Sequence, residues 1–369
     1  MLFAYKYVPH SMEKMQEFID FIFYEVWCKA PRNSIFELEL FDTNPELKGL
    51  MESFYYGDTQ GGDFFYGQVE RIFKLFTKFN ESQIHQLKKW YEANNNIEKI
   101  CANDPTSQAI RYADINITLP ELSKQLALFF KELYSPKLLD LAALRKIIGK
   151  IDDHYQVFSE ANNTGKCPFC GITDMLGVYN TKREAYDHYL PKAHYPFNSI
   201  NFRNLVPACH YCNSSYKTSK DPMLVPMDPC SQSNRRKVFY PYASSAHNIE
   251  ITIELKILDI DQLTPIDVQI NFGPDELEEE IKTWRNIYGI DERYKANLCS
   301  QNNGKYWYFQ VMDEWKEDGL SPSSFLATLR RQTQRQPFAE SNFLKKAFLE
   351  GCERANLFEN PITKAETAI

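Results

Sequence analysis

The chain of 369 residues carries 42 Lys and Arg against 49 Asp and Glu, a net charge of −7, with 43% hydrophobic and 14% aromatic residues. That balance excludes intrinsic disorder and a chain-wide nucleic-acid binder, which would need concentrated positive charge. At ~150 residues per domain the length predicts two or three domains. No run approaches the roughly 18 uninterrupted apolar residues of a membrane span: the most apolar stretch, FIDFIFYEVW at residues 18–27, is broken by Asp20 and Glu25. With no basic start leading into an apolar core and a small-residue cleavage site, the expected location is the cytoplasm.

The first 150 residues read as mostly helical. Met12 to Cys28 is amphipathic, and Phe65, Val69, Ile72, Phe73, Phe76 and Phe79 recur at helical spacing within a predicted helix from Phe64 to Ala93. A break at Asn103, Asp104 and Pro105 precedes a helix from Pro120 to Tyr134. Pro136 then separates it from another helix with Leu138, Leu141, Leu144, Ile147, Ile148 and Ile151 on one face. Such stripes belong to a core rather than to a cofactor site. Residues 1–160 are thus a predicted helical domain, and the turn Asn162, Asn163, Thr164, Gly165 delivers the chain into the next one.

That next region, residues 161–235, opens on a metal-ligand pattern. Cys167, Cys170, Cys209 and Cys212 form two Cys-x-x-Cys pairs, with 38 residues between Cys170 and Cys209. Zinc takes four tetrahedral sulfur or nitrogen ligands, and each Cys-x-x-Cys turn supplies two thiolates. Two disulfides would require an oxidising compartment, against an odd total of nine cysteines and no secretory signal. A redox pair would be expected beside a βαβ pattern, which neither pair has. Cys28, Cys101, Cys230, Cys299 and Cys352 stand alone and read as ordinary thiols. His210 could replace one thiolate, although four cysteines already complete a set.

Charge is distributed unevenly. Residues 161–240 hold ten basic and five acidic residues, a local +5 that leaves −12 for the remainder. A basic module within an acidic chain fits a site that meets phosphate, with flanks that suppress indiscriminate binding.

Residues 183–217 read REAYDHYLPKAHYPFNSINFRNLVPACHYCNSSYK, placing Asp187-His188, Asn204-Leu205, Cys209 and Cys212-Asn213 in order. Over roughly residues 165–222 this resembles the HNH endonuclease family. The resemblance implies a ββα-metal core, with a hairpin ending in Asp-His, a loop, a strand opening at Asn-Leu, and a helix, stapled by a four-cysteine structural zinc. It implies His188 as general base, Asp187 as metal ligand and Asn204 as the residue holding the loop that orients His188. The third motif position, often His, is Asn213 here, an HNN variant. A weaker resemblance, of layout and local motif, is to nuclease components of bacterial phage-defence systems such as Septu, which implies an ATPase or sensor partner that this chain does not contain.

The chemistry is consistent with those roles. Phosphodiester hydrolysis needs a base for water, a cation to neutralise the transition state, and a group to aim the base. An Asp carboxylate and an Asn amide oxygen suit Mg²⁺ or Mn²⁺ as the catalytic ion better than zinc. Neighbouring strand residues point to opposite faces, so Asp187 and His188 serve one site only at a distorted strand end. Lys217, four residues beyond Asn213, either touches a phosphate or is a solvated surface lysine. Lys192, Arg203 and Lys220 are candidates of the same kind. His194 and Tyr195 either line a substrate groove or pack the loop.

Beyond Pro229 the pattern changes to NIEITIELKIL, residues 248–258, where Ile249, Ile251, Ile253, Leu255 and Ile257 alternate with polar residues as in a half-buried strand. Ile266 to Phe272 is the expected partner. Helices are expected at Glu276–Tyr288, Lys305–Lys316, Ser323–Arg331 and Ser341–Leu357, with Asp275 and Asp291 as N-caps. Arg330, Arg331 and Arg335 form a basic cluster, either a solvated face or an extension of a nucleic-acid groove. Residues 236–369 are thus a mixed, mainly helical domain, and the fold class is α+β: a zinc-stapled HNH core between a helical N-terminal region and a mostly helical C-terminal one.

The activity expected is metal-dependent endonuclease cleavage, most simply of DNA. Two alternatives stay open: a ribonuclease, since the motif does not exclude a ribose hydroxyl, and a non-catalytic zinc module that binds nucleic acid or scaffolds a complex.

Overall fold

The structure, a computed structural model, describes residues 1–32, 35–224, 235–245, 247–257 and 259–359. Cys230 and Leu258 lie outside the described residues. The fold is mixed α+β and mostly helical, with two small antiparallel sheets.

Among the described residues ten α-helices precede the first strand: α1 (Lys14–Phe21), α2 (Pro45–Tyr56), α3 (Gln60–Phe76), α4 (Glu81–Asn95), α5 (Ile97–Cys101), α6 (Tyr112–Thr118), α7 (Pro120–Glu132), α8 (Pro136–Leu139), α9 (Ala142–Ile148) and α10 (Ile151–Ala161). Local chemistry sets many of their ends. Asn44 accepts from the Leu47 amide with Pro45 in the first turn of α2, and Thr59 caps α3 through Gly62. The predicted helix from Phe64 to Ala93 is two helices. Asn80 and Gln83 form a reciprocal capping box that starts α4 anew after the turn at 77–80. The predicted helix through Leu138 and Ile151 is likewise cut into α8, α9 and α10, the last break falling at Gly149, whose φ of +73° a residue with a side chain rarely adopts.

Strands β1 (Ala185–His188) and β2 (Leu205–Ala208) pair antiparallel, Asp187 opposite Val206 and His188 opposite Leu205. A π-helical segment, Tyr211–Lys217, follows β2 directly. Strands β3 (Glu250–Leu255) and β4 (Val268–Gly273) form the second sheet, with Ile253 opposite Ile270, as the alternation predicted. Five α-helices follow among the described residues: α11 (Glu278–Tyr288), α12 (Ile290–Leu298), α13 (Gly304–Asp318), α14 (Pro322–Arg335) and α15 (Asn342–Arg354). Helix α15 packs so close to β3 that a Cβ on Gly351 would lie 2.6 Å from the Ile253 carbonyl.

Three expectations are corrected here. Helix α12 has no counterpart in the predicted set; left-handed Gly289 separates it from α11. Asp291 is not an N-cap but a first-turn residue whose carboxylate accepts two hydrogen bonds from Arg285, at 2.9 and 2.8 Å. Asp275 opens a 3₁₀ turn for which Pro274 is the cap.

Two apolar cores form. One fills the space among α1–α4 and α6–α10 and takes in Tyr186, Phe197, Phe202 and Leu205 from the β1–β2 region. The other joins the four clustered cysteines to the C-terminal helices and to Met1, Leu2, Tyr5 and Val8. Leu2 donates its amide to the Pro168 carbonyl and Tyr5 to that of Pro241. The β1–β2 region contributes to both cores, Val206 and Ala208 to one and Tyr186 and Leu205 to the other.

Candidate metal centre and hydrolytic site

Cys167, Cys170, Cys209 and Cys212 are all buried, and their sulfurs lie within 4.8 Å of one another, so they can hold a zinc ion. Knuckle geometry is visible in the backbone: Gly171 turns at φ +69° and donates to the Cys167 carbonyl at 2.7 Å, while the Cys212 amide points at Cys209 Sγ at 3.5 Å. The donor set carries a second sign of thiolate character. Arg293 of α12 sends Nη1 to Cys212 Sγ at 3.1 Å and is only 9% exposed. Burial works against its charge, yet the Cys212 and Cys170 sulfurs hold Arg293 above its ordinary value. A guanidinium buried on a neutral thiol would be poorly compensated; on a four-thiolate zinc site of net negative charge it is well placed.

Asp187 and His188 diverge as strand neighbours do, then are reconnected by one lysine. Asp187 is 3% exposed, and its Oδ1 accepts from Lys217 Nζ at 2.8 Å. The same ammonium donates to the His188 carbonyl at 2.9 Å. Burial raises the Asp187 carboxyl above its usual value, opposed by the Lys217 charge. Its second oxygen, Oδ2, is buried with no hydrogen-bond partner.

Lys217 itself is 0% exposed, so it is neither of the two things the sequence offered, a phosphate contact or a solvated lysine. It is an internal cation that ties the helical segment to the end of β1. Asn213, earlier on that segment, is half-buried, and its amide nitrogen on the backbone donates to Cys209 O at 3.0 Å.

His188 is half-buried at the end of β1, and its Nε2 meets the Ser199 carbonyl at 2.9 Å. A carbonyl only accepts, so Nε2 carries the proton and neutral His188 presents an unprotonated Nδ1. Burial, then the charge of Lys192 and, after the opposing Ser199 contact, that of Lys217 draw His188 down to about 3. The ring of Tyr134 stands edge-on to it with centroids 4.9 Å apart.

Asn204 is fully buried and uses its whole amide on one loop. Oδ1 accepts from the Leu190 amide at 2.7 Å, and Nδ2 donates to the Leu190 and Asn198 carbonyls at 3.0 and 3.2 Å. The loop so clamped is the one that carries Ser199 to His188.

The remaining basic candidates separate. Lys192 donates to the Lys131 carbonyl at 2.8 Å and lies 5.8 Å from the Tyr134 ring centroid, on the His188 side of the loop. Arg203 is exposed but stacks on Tyr7 at 4.3 Å. Lys220 is exposed. His194 meets the Ser219 carbonyl and Tyr195 donates to Asp221 Oδ2 at 2.7 Å, so both pack the loop. Arg330 is engaged by Glu350 and Glu353. Arg293 and Tyr134 were not singled out from the sequence, and no motif marks either of them.

No known protein family and no solved structure matches the chain. Two curated relatives match locally. The chain is 48% identical over 52 residues to protein ea31 of Escherichia phage lambda, covering 14% of this chain and 15% of that protein. It is 28% identical over 104 residues to Septu protein PtuB of Bacillus thuringiensis, covering 27% of this chain and 38% of that protein. The chain thus spans well under half the length of either relative. Among the described residues, no helix is long and apolar enough to cross a membrane.

Proposed function

We propose that this chain is a metal-dependent endonuclease of the HNH type that hydrolyses phosphodiester bonds, most simply in DNA, and serves as an effector in phage defence alongside a partner protein such as an ATPase. The observation that carries the reading is the arrangement at the end of β1: an oriented neutral imidazole whose loop is clamped by Asn204, next in sequence to a buried carboxylate with one oxygen left over. The likeness to a Septu protein supports the defence setting.

His188 takes the proton of the attacking water at Nδ1 as the water oxygen bonds to phosphorus, and the bond from phosphorus to the leaving oxygen breaks. Its low affinity for protons keeps it neutral beforehand, and a phosphodiester docked near Lys192 brings the negative charge that favours the imidazolium. Ser199 fixes the ring by its carbonyl, and Asn204 fixes Ser199 by holding the loop.

The donor set fits a hard cation. Asp187 Oδ2 lacks a hydrogen-bond partner, and Asn213 lies four residues before Lys217, the residue by which that segment meets Asp187. Mg²⁺ or Mn²⁺ bound by Asp187 and Asn213 would have to open the buried pair with Lys217 before it could neutralise charge on the scissile phosphate. The four-cysteine zinc is structural in this reading, since all four of its positions are filled by protein.

The test is incubation of zinc-loaded protein with supercoiled plasmid, and in parallel with RNA, in Mg²⁺ or Mn²⁺, against His188→Ala of equal melting temperature. Plasmid cleavage by the unsubstituted chain alone is expected. Equal cleavage by both proteins, or none by either with every added partner, overturns the reading.

A further inference from the structure

A second feature lies across the 190–198 loop from His188. Between α4 and residues 103–111 runs a groove of about 1010 Å³, bordered by Lys89, Trp90, Lys99, Arg111, Tyr195 and Arg235. Four of these are cations, against two acidic side chains on the rim, Glu92 and Asp114. Lys89 of α4 and Lys99 of α5 are exposed, and Trp90, next to Lys89, is half-buried. Arg111 is only loosely paired, 3.6 Å from Asp221, and its Nε is buried without a hydrogen-bond partner.

The groove connects to the hydrolytic site through a strip of positive charge. Tyr112, next to Arg111, donates its amide to the His194 carbonyl at 2.9 Å, tying the groove floor to the clamped loop. Lys131 Nζ lies 5.4 Å from the Tyr112 ring centroid, and Lys192 donates to the Lys131 carbonyl. Lys192 in turn adjoins Tyr134, whose ring meets His188. From His188 the order is therefore Lys192, Lys131, Arg111 and then the groove.

We propose that this groove binds one strand of DNA adjoining the scissile phosphate, with Lys89, Lys99, Arg111 and Arg235 facing its phosphates and Trp90 stacking on a base. Cationic walls combined with an accessible aromatic face are what single-stranded nucleic acid requires. The volume is near the upper end of the ~300–1,000 Å³ range of small-ligand sites, room for a few nucleotides of one strand and too little for a duplex. Its direction from His188 rests on the hydrolytic reading above; its ligand does not.

The experiment measures binding apart from cleavage, on full-length His188→Ala protein, by fluorescence anisotropy of a short labelled single-stranded oligonucleotide of mixed sequence and of its duplex, across a salt series. Lys89→Gln/Lys99→Gln, both exposed positions, is expected to weaken single-strand binding about tenfold and make the log–log salt slope shallower by about 1.4, at ~0.7 per lost phosphate contact. Trp90→Ala is expected to weaken it about fivefold or more, with melting temperature as the control. Unchanged affinity and slope in both variants overturns the proposal, as does an equal loss on duplex, which would mark a general surface charge effect. Normal oligonucleotide binding by these variants, with plasmid cleavage by protein that keeps His188, would sink the groove and leave the nuclease standing; groove binding with no cleavage by protein that keeps His188 would do the reverse.

Discussion

Lys217 and Asp187 form an ion pair sealed from solvent, Nζ to Oδ1 at 2.8 Å, with the two side chains 0% and 3% exposed. Breaking a buried pair from one side leaves an uncompensated charge, at a cost of about 3–5 kcal/mol, whereas replacing both partners by apolar groups is often nearly neutral. Lys217→Met is therefore expected to lower urea-unfolding stability by about that amount, and Asp187→Leu/Lys217→Met to recover most of it while remaining inactive. A single variant as stable as the unsubstituted chain would show that the pair is not closed in solution.

Zinc removal should unfold the region around the knuckles. Structural zinc contributes about 10–16 kcal/mol of apparent binding free energy, far more than the hairpin can gain from two four-residue strands. Cys209→Ser is expected to lose the metal, measured by elemental analysis, and the cooperative melting transition with it. Arg293→Leu should keep the fold but surrender zinc to a chelator faster, because the thiolates lose their buried counter-charge.

Asn204→Ala removes the acceptor for the Leu190 amide and the donor to two carbonyls. Orphaning buried groups of this kind costs about 1–3 kcal/mol. Because the same loop presents Ser199 to His188, kcat should fall while KM changes little. A variant with unaltered kcat would remove Asn204 from any role in aiming the base.

Acid should weaken the fold through two histidines that are not themselves candidate metal ligands. His154 is 2% exposed and lies between the Tyr186 hydroxyl and the Val8 carbonyl. Burial draws it down to about 4, the Val8 carbonyl opposing and His10 reinforcing. Burial also draws His247 to about 4. With the folded value below the unfolded one of ~6.5, the unfolded chain binds more protons between those values. Stability is therefore complete above pH ~6.5 and declines as pH falls toward 4. His154→Gln, which keeps a donor and an acceptor, should flatten the pH dependence of urea unfolding in that window; an unchanged slope would assign the acid sensitivity elsewhere.

Much of the local structure was legible in the residues. The Cys-x-x-Cys pairs cluster as their spacing required, because each pair is closed by one tight turn that depends on four consecutive residues. The alternation at Ile251, Ile253 and Leu255 located β3, and Ile266 to Phe272 its partner, since period two is a property of the strand itself. Helix ends were less legible: the stripe from Phe65 to Phe79 carries no mark of the Asn80–Gln83 capping box as a boundary unless the cap is weighed against the apolar period.

What the sequence by itself determined, then, is the four-cysteine set that can hold zinc and the mostly helical α+β class, because Cys-x-x-Cys spacing and apolar period are local properties of the chain. What only the tertiary structure decided is which charges are hidden and which distant groups meet. A lysine in a polar run reads as solvated, and only the packing of the 211–217 segment against β1 places Lys217 inside. Arg293 reaches Cys212 across 81 positions, and Tyr134 reaches His188 from the turn after α7. Such contacts leave no periodic trace in a chain, because they depend on how two cores close around one hairpin and not on any spacing along it.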